Sequence, residues 1–287
     1  MSRKCGSNKL VAYVKLTRPQ NGIMMFIAVL VGVLFSESRF MTASQAPLAF
    51  VTAFSLNGSS MAINDYFDRH VDAVNSPSRP IPSGAVSPKS AVIFSFVLGA
   101  LGLVAAAFTS YICLAFATLA YASAILYNSL VKTSGLPGNM LVSFNVVAPF
   151  IYGSLMSDGT VGAKVFIFAL LAFLANTGRE VIKGISDVEG DALRGVRSVA
   201  RSMGERSAAI LGAALYVSAV CLSPLPYILG YVSFLYIPIV LVCDAGFIYS
   251  SISIIRSPSK ENAINVKNQS LVWMLIALAS FIAGGFL

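Results

Sequence analysis

The chain has 287 residues, of which 56% are hydrophobic and only 11% charged, against about 25% charged in a soluble domain. That deficit, with a positive mean hydropathy, excludes an ordinary soluble protein and places the chain in a bilayer. The net charge of +8 raises nucleic acid as a partner, an option that the distribution of basic residues removes below.

A bilayer-spanning helix needs about 20 mostly apolar residues. Such windows recur near 20–36, 46–64, 90–108, 111–130, 139–157, 162–184, 207–224, 227–254 and 269–287. They predict an all-α, polytopic membrane protein, a bundle of nine transmembrane helices forming a single integral-membrane domain over 1–287. The first window is short. Arg3, Lys4 and Lys9 followed by the apolar run Gly22 to Phe35 have the outline of a signal peptide, but Ser36-Glu37-Ser38 is not a small-x-small cleavage site. Thr17-Arg18-Pro19 reads instead as a helix start, so the segment is expected to stay. The eighth window is long enough to tilt or to extend past the membrane. Polar stretches 65–89 and 185–206 follow the second and sixth windows. These two positions lie four helices apart, the spacing of two related four-helix halves with a ninth helix appended; identity between the halves is too faint to establish a repeat. The four cysteines, Cys5, Cys113, Cys221 and Cys243, form no CxxC pair. Three fall in apolar windows and are expected to be buried thiols, with neither disulfide nor zinc implied.

Lys and Arg set the orientation of a membrane chain. With the N-terminus in the cytoplasm, cytoplasmic segments and the adjoining helix ends hold every one of the 20 Lys and Arg residues except Arg39 and Lys164. The C-terminus is then outside. The basic excess is a topology signal, and nucleic acid is excluded as a partner.

Charge is informative where a membrane chain should have none. Asn64, Asp68 and Asp72 follow an apolar window at spacing i, i+4, i+8, which stacks them on one helical face. Asp65 lies about 100° off that face, as an outer or weaker ligand, and Arg69 and His70 are the basic residues nearest in sequence. In the second cluster Arg179, Lys183, Asp187 and Asp191 continue the same four-residue spacing. Stacked carboxylates repel unless a cation neutralises them, and oxygen-only ligands suit Mg²⁺, which takes one or two carboxylates plus substrate phosphate oxygens. Asn64, Asp68, Asp72, Asp187 and Asp191 are therefore the candidate metal ligands, with Asn64 as the neutral donor. A ladder of intrahelical salt bridges explains the second cluster less well, since such pairs contribute only about 0.2–0.5 kcal/mol each, whereas a central membrane charge costs about 2.5–3.5 kcal/mol. Glu180 is a candidate partner for a cation and Glu189 reads as solvated.

Arg79, Lys132, Arg179, Lys183, Arg194 and Arg197 are candidates to offset the charge of a diphosphate or a phosphorylated acceptor. For Arg194, Arg197, Arg201 and Arg206, topogenic charge or contact with anionic lipid is an equal alternative. Tyr127 and Asn139 read as polar wall residues or as interfacial anchors. His70 lies off the carboxylate face. Gly99, Gly102, Gly284 and Gly285 read as helix-packing positions.

These residues resemble the UbiA superfamily of membrane-bound prenyltransferases. Its NDxxDxxxD signature stands here as Asn64, Asp65, Asp68 and Asp72, and its DxxxD signature as Asp187 and Asp191. The resemblance covers nearly the whole chain. It implies an enzyme in which two Mg²⁺ ions hold a prenyl diphosphate between the motifs, with the prenyl tail in an apolar tunnel open to lipid. Within the superfamily the chain is similar to the archaeal digeranylgeranylglyceryl phosphate synthases, through Leu16-Thr17-Arg18-Pro19-Gln20-Asn21, Arg79-Pro80-Ile81-Pro82-Ser83-Gly84 and Arg179-Glu180-Val181-Ile182-Lys183. That similarity implies geranylgeranyl transfer from its diphosphate to the hydroxyl of geranylgeranylglyceryl phosphate, in ether-lipid biosynthesis. Gly184 and Ser198-Val199 depart from residues common in that group. An aromatic acceptor, such as a hydroxybenzoate or quinone precursor, is the alternative within the superfamily. A cation transporter is the alternative outside it, and both acidic clusters falling at one membrane boundary counts against alternating access. Membrane lipids and the two lipid substrates are the expected partners; no protein partner is required.

Overall fold

The computed structural model describes residues 9–193 and 195–285. Arg3, Lys4, Cys5 and Arg194 lie outside them. The chain divides into two compact units, the described part of Met1–Leu30 with Met41–Ser129, and Val31–Phe40 with Leu130–Leu287. Among the described residues eight helices are long and apolar enough to cross a membrane, and a bent pair at the N-terminus makes a ninth candidate.

The first unit opens with α1 (Lys9–Thr17), followed by α2 (Pro19–Leu34), whose end from Val31 belongs to the second unit. The axis bends by 41° between them. Pro19 explains the restart, because its fixed φ suits the first helical position and it has no N–H to leave unpaired. Arg18 sits at the break with φ of 47°, a left-handed conformation that costs a side-chain-bearing residue about 1–2 kcal/mol. The helices α3 (Gln45–Asn75), α4 (Pro88–Thr109) and α5 (Tyr111–Ser129) complete the unit.

Small and hydroxyl side chains bring α3 and α4 together. Ser59 Oγ lies 2.7 Å from the Ser95 carbonyl, Ser95 Oγ donates back to the Ser59 carbonyl at 2.9 Å, and the Tyr121 hydroxyl of α5 joins Ser59 at 2.9 Å. A Cβ on Gly99 would run into the Tyr121 ring, and one on Gly102 would lie 2.8 Å from the Leu56 side chain. Both glycines are packing positions, as expected of membrane helices held by close approach and not by water exclusion.

The second unit contains a 3₁₀ turn (Val131–Thr133), α6 (Leu136–Asp158), α7 (Ala163–Ser186), α8 (Val188–Leu193), α9 (Val199–Met203), α10 (Glu205–Leu222), α11 (Leu225–Ile228), α12 (Tyr236–Arg256) and α13 (Lys260–Gly285). Helix α7 is its centre and packs against α6, α10 and α13. At the α7–α10 crossing a Cβ on Gly178 would lie 2.8 Å from the Tyr216 ring and 2.9 Å from the Gly212 carbonyl. Tyr216 is fully buried there, with its hydroxyl 2.6 Å from Ser270 Oγ on α13. Phe35, Phe168, Tyr236 and Phe281 form an aromatic cluster elsewhere in the unit, beside Gly284 and Gly285. The Asp158 carboxylate accepts the Glu37 and Ser38 amides at 2.6 and 3.1 Å, which secures the chain after α2.

Three expectations change. The window 227–254 is not one helix: α11 stops at Ile228, Gly230 adopts φ of 69°, and α12 starts only at Tyr236. The last helix begins earlier than 269, at Lys260, because its polar first turns are helical although not apolar. The stretch 65–89 begins as helix, as the aspartate spacing predicts, since α3 continues through the whole first carboxylate cluster to Asn75. Cys113 and Cys243 are buried, but Cys221 is exposed on α10, where an apolar window faces outward as well as inward.

Candidate active site

In the first unit, Asn64, Asp65, Asp68 and Asp72 stand on one unbroken helix. Asp65 and Asp72 are buried, while Asn64 and Asp68 are half-buried. A carboxylate taken from water without a partner costs several kcal/mol, and two arginines offset part of that cost. Arg18 donates to Asp65 Oδ1 at 2.7 Å, and Arg79 donates to Asp72 Oδ2 at 2.5 Å while lying 3.5 Å from Asp65 Oδ1. Both arginines are placed by local structure. The strained turn between α1 and α2 carries Arg18. After α3, the Ser76 amide caps the Asp72 carbonyl at 2.8 Å, and tight turns over 76–86 swing Arg79 back onto the helix it has just left. Ile81 and Val86 anchor those turns by burying against Ala12, Leu16 and Ala62.

Arg69, the nearest basic residue in sequence, is not the partner of these carboxylates. Its guanidinium donates to the Tyr66 carbonyl at 2.8 Å and lies 4.4 Å from the centre of the Tyr66 ring. His70 is exposed. Tyr127 stands half-buried on α5. Arg18, read from sequence as topogenic charge, is the residue that reasoning missed; a cation wedged between a helix end and Pro19 was its signal.

In the second unit the four-residue ladder is real but bent. Helix α7 ends at Ser186, Asp187 leaves helical geometry with φ of −107° and ψ of 5°, and α8 begins at Val188. The Asp191 amide still bonds the Asp187 carbonyl at 2.7 Å, so the two aspartates stay one turn apart across the break. Glu180 pairs with both neighbouring cations, accepting from Arg179 at 2.6 Å and from Lys183 at 3.1 Å. Ser186 Oγ donates to Asp187 Oδ1 at 2.9 Å. Glu189 is not simply solvated: Lys260 of α13 lies 2.6 Å from its carboxylate and holds that carboxyl below its ordinary range.

Lys132 is half-buried in the 3₁₀ turn and Asn139 half-buried on α6. The Arg197 amide bonds the Thr133 carbonyl at 2.9 Å, which docks the chain after α8 onto that turn. Gly135 permits this, with φ of 76° and no room for a Cβ against the Arg197 carbonyl. Arg197 itself is exposed. The two departures noted in the sequence meet here: a Cβ on Gly184 would stand 3.4 Å from the Ser198 Cβ, and the buried Ser198 hydroxyl has no hydrogen-bond partner.

The donor set suits a hard cation shared with substrate. Among the described residues no three His, Cys, Asp or Glu side chains converge tightly enough to enclose an ion alone. Mg²⁺ does not need that, because it dehydrates reluctantly and is bound through one or two carboxylates with substrate phosphates. Asn64, Asp68 and Asp72 on α3, and Asp187 at the α7–α8 break with Asp191 one turn further on α8, offer oxygen donors of that kind.

Residues 25–282 match the model of the UbiA prenyltransferase family. A curated relative from Archaeoglobus fulgidus, named digeranylgeranylglyceryl phosphate synthase, is 37% identical over 99% of this chain and 100% of its own length. A solved structure concerning digeranylgeranylglyceryl phosphate synthase in membranes superposes with a TM-score of 0.83 at 33% identity, covering 96% of this chain and 98% of that one. A UbiA homolog from Archaeoglobus fulgidus, solved bound to GPP and Mg²⁺, shares the fold with a TM-score of 0.69 at 18% identity, over 94% of this chain and 99% of that one. The paired aspartate motifs, the helical membrane architecture and these matches lead to one conclusion: the chain belongs to the UbiA prenyltransferase family.

Proposed function

We propose that the protein transfers a geranylgeranyl group from its diphosphate to the hydroxyl of geranylgeranylglyceryl phosphate, forming an ether. The observation that carries the chemistry is Asn64, Asp68 and Asp72 aligned on one unbroken helix with Arg79 folded back onto Asp72. The names of the relatives favour this acceptor over an aromatic one.

Asn64, Asp68 and Asp72 would hold one Mg²⁺, and Asp187 with Asp191 a second. When bound, Mg²⁺ supplies positive charge to the oxygens of the departing pyrophosphate. The chain's own cations add to that: Arg79 in the first unit, and Lys183, Arg179, Lys132 and Arg194 in the second, offset charge that grows as the allylic C–O bond breaks. Arg79 has a double use here, neutralising Asp65 and Asp72 until an anion competes for its guanidinium. Tyr127 and Asn139 act as polar wall residues. The apolar helices exclude water, which would otherwise capture the allylic cation. The acceptor hydroxyl attacks that cation and its proton passes to water or to the released pyrophosphate, so a strong base is not required. As a multi-pass membrane protein, it is proposed to keep its N-terminus and both motifs in the cytoplasm, with the C-terminus outside, on the Lys and Arg bias.

The test is product formation by purified protein in lipid, with geranylgeranyl diphosphate, Mg²⁺, and geranylgeranylglyceryl phosphate in competition with 4-hydroxybenzoate. A doubly prenylated glyceryl phosphate that EDTA abolishes is the expected product. Prenylation of the ring overturns the acceptor, and cation flux without transfer overturns the enzyme.

A further inference from the structure

We propose that Lys267 of α13 binds a phosphoryl oxygen of a substrate, a role that rests on the transfer reaction above. Lys267 lies on α13 two turns beyond Lys260, inside a membrane-spanning helix, and its side chain is half-buried. The neighbouring cations on α7 and at the start of α13 have carboxylate partners. Arg179 and Lys183 share Glu180, and Lys260 has Glu189. Among the described residues Lys267 has none. Its ammonium donates one hydrogen bond, at 3.3 Å, to the hydroxyl of Ser186, longer than the usual N–H···O range of about 2.7–3.2 Å. The Ser186 hydroxyl in turn reaches Asp187 Oδ1 at 2.9 Å.

The backbone holds this arrangement in place. Arg179 Nε donates to the Lys267 carbonyl at 3.3 Å, and Tyr216 joins Ser270, one turn further along α13. Helix α13 is thereby fixed against α7 with the ammonium aimed at the point where α7 breaks and the second aspartate motif begins. Lys267 lies in the polar first turns of α13 and is half-buried, and an ammonium has three donors, of which a neutral hydroxyl uses one. A phosphate oxygen arriving at Asp187 would supply the missing counter-charge. Two sources share this chemistry, the diphosphate of the prenyl donor and the phosphomonoester of the acceptor.

Steady-state kinetics of Lys267→Gln, Lys267→Arg and Ser186→Ala separate the possibilities. Lys267→Gln is expected to raise KM for one phosphorylated substrate about 10- to 100-fold, the range for a hydrogen bond to a charged group, and Lys267→Arg to recover most of it. A rise confined to geranylgeranylglyceryl phosphate assigns the acceptor phosphate; a rise confined to geranylgeranyl diphosphate assigns the donor. Unchanged KM for both substrates overturns the inference. So does a Ser186→Ala variant that reproduces the Lys267→Gln defect, since Lys267 would then act only through Ser186. A measurement on the unaltered protein guards against misfolded variants: amine acylation of Lys267, read by mass spectrometry, is expected to fall when the assigned substrate is added. Unchanged acylation also overturns the inference. Wild-type protein that makes no ether product fails the transfer reading itself, before any variant is compared.

Discussion

The two acidic motifs carry the same carboxylate spacing on differently built supports. The first lies on an uninterrupted α3, with carboxylates in excess, and its neutralising arginines come from outside the helix, at 2.7 Å for Arg18 and 2.5 Å for Arg79. The second lies across a break at Asp187, with two cations on the helix itself that share Glu180 as a partner. One region thus presents anionic charge met by two cations from neighbouring turns. The other presents two cations sharing Glu180, beside Lys267, which among the described residues has no carboxylate partner. A motif of aspartates spaced by four does not by itself define a charge environment; the partners do.

If both motifs bind metal and diphosphate, Asp68→Ala and Asp191→Ala should each lower transfer by about 10³-fold or more, in keeping with loss of an electrostatic contact made in the transition state, while the proteins remain folded. Full activity in either variant would break the equivalence of the two regions. Next in size is Arg18→Ala. It leaves the buried Asp65 with only the 3.5 Å contact to Arg79, and should cost about 2 kcal/mol of stability in detergent. An unchanged melting temperature would show that Arg79 alone neutralises that face. In the second region Glu180→Gln releases Arg179 and Lys183 together. Because Lys183 is 40% exposed, water screens part of the loss and about 1 kcal/mol is expected, measured by the same thermal melt.

The smallest effect concerns Glu189 and Lys260. The carboxyl of Glu189 is depressed in the folded protein by its bond to Lys260. Its contribution to stability is therefore present above the ordinary glutamate range and is lost as pH falls through the depressed value. Wild type and Glu189→Gln should differ slightly in melting temperature near neutrality and converge in acid. A difference that persisted at low pH would mean that Glu189 acts through packing and not through its charge.

Much of this was legible in the chain. Apolar windows located the membrane helices because a bilayer demands a minimum apolar length, and the aspartate spacing showed a shared face because helical periodicity is local. The helix boundaries at polar ends were not legible: α3 runs through Asp72 to Asn75 and α13 opens at Lys260, since hydrogen bonding and not hydropathy ends a helix. Gly99 and Gly102 could be read as packing positions, whereas the Gly178–Gly212 crossing was overlooked although its residues lie beside Arg179. The cation partners were misassigned for a related reason. Arg69 is adjacent in sequence to Asp68 yet turns onto Tyr66.

By itself the sequence determined the all-α membrane class, the family and the four-residue spacing of the aspartates, all of which depend on composition or on residues within a few turns of each other. Tertiary structure alone decided which charge meets which. Arg18 reaches Asp65 across 47 residues and Lys267 reaches Ser186 across 81. Such pairings depend on where helices cross, and the crossings are set by close contacts at small residues such as Gly178, Gly212 and Ser59, whose positions on facing helices no local pattern reveals.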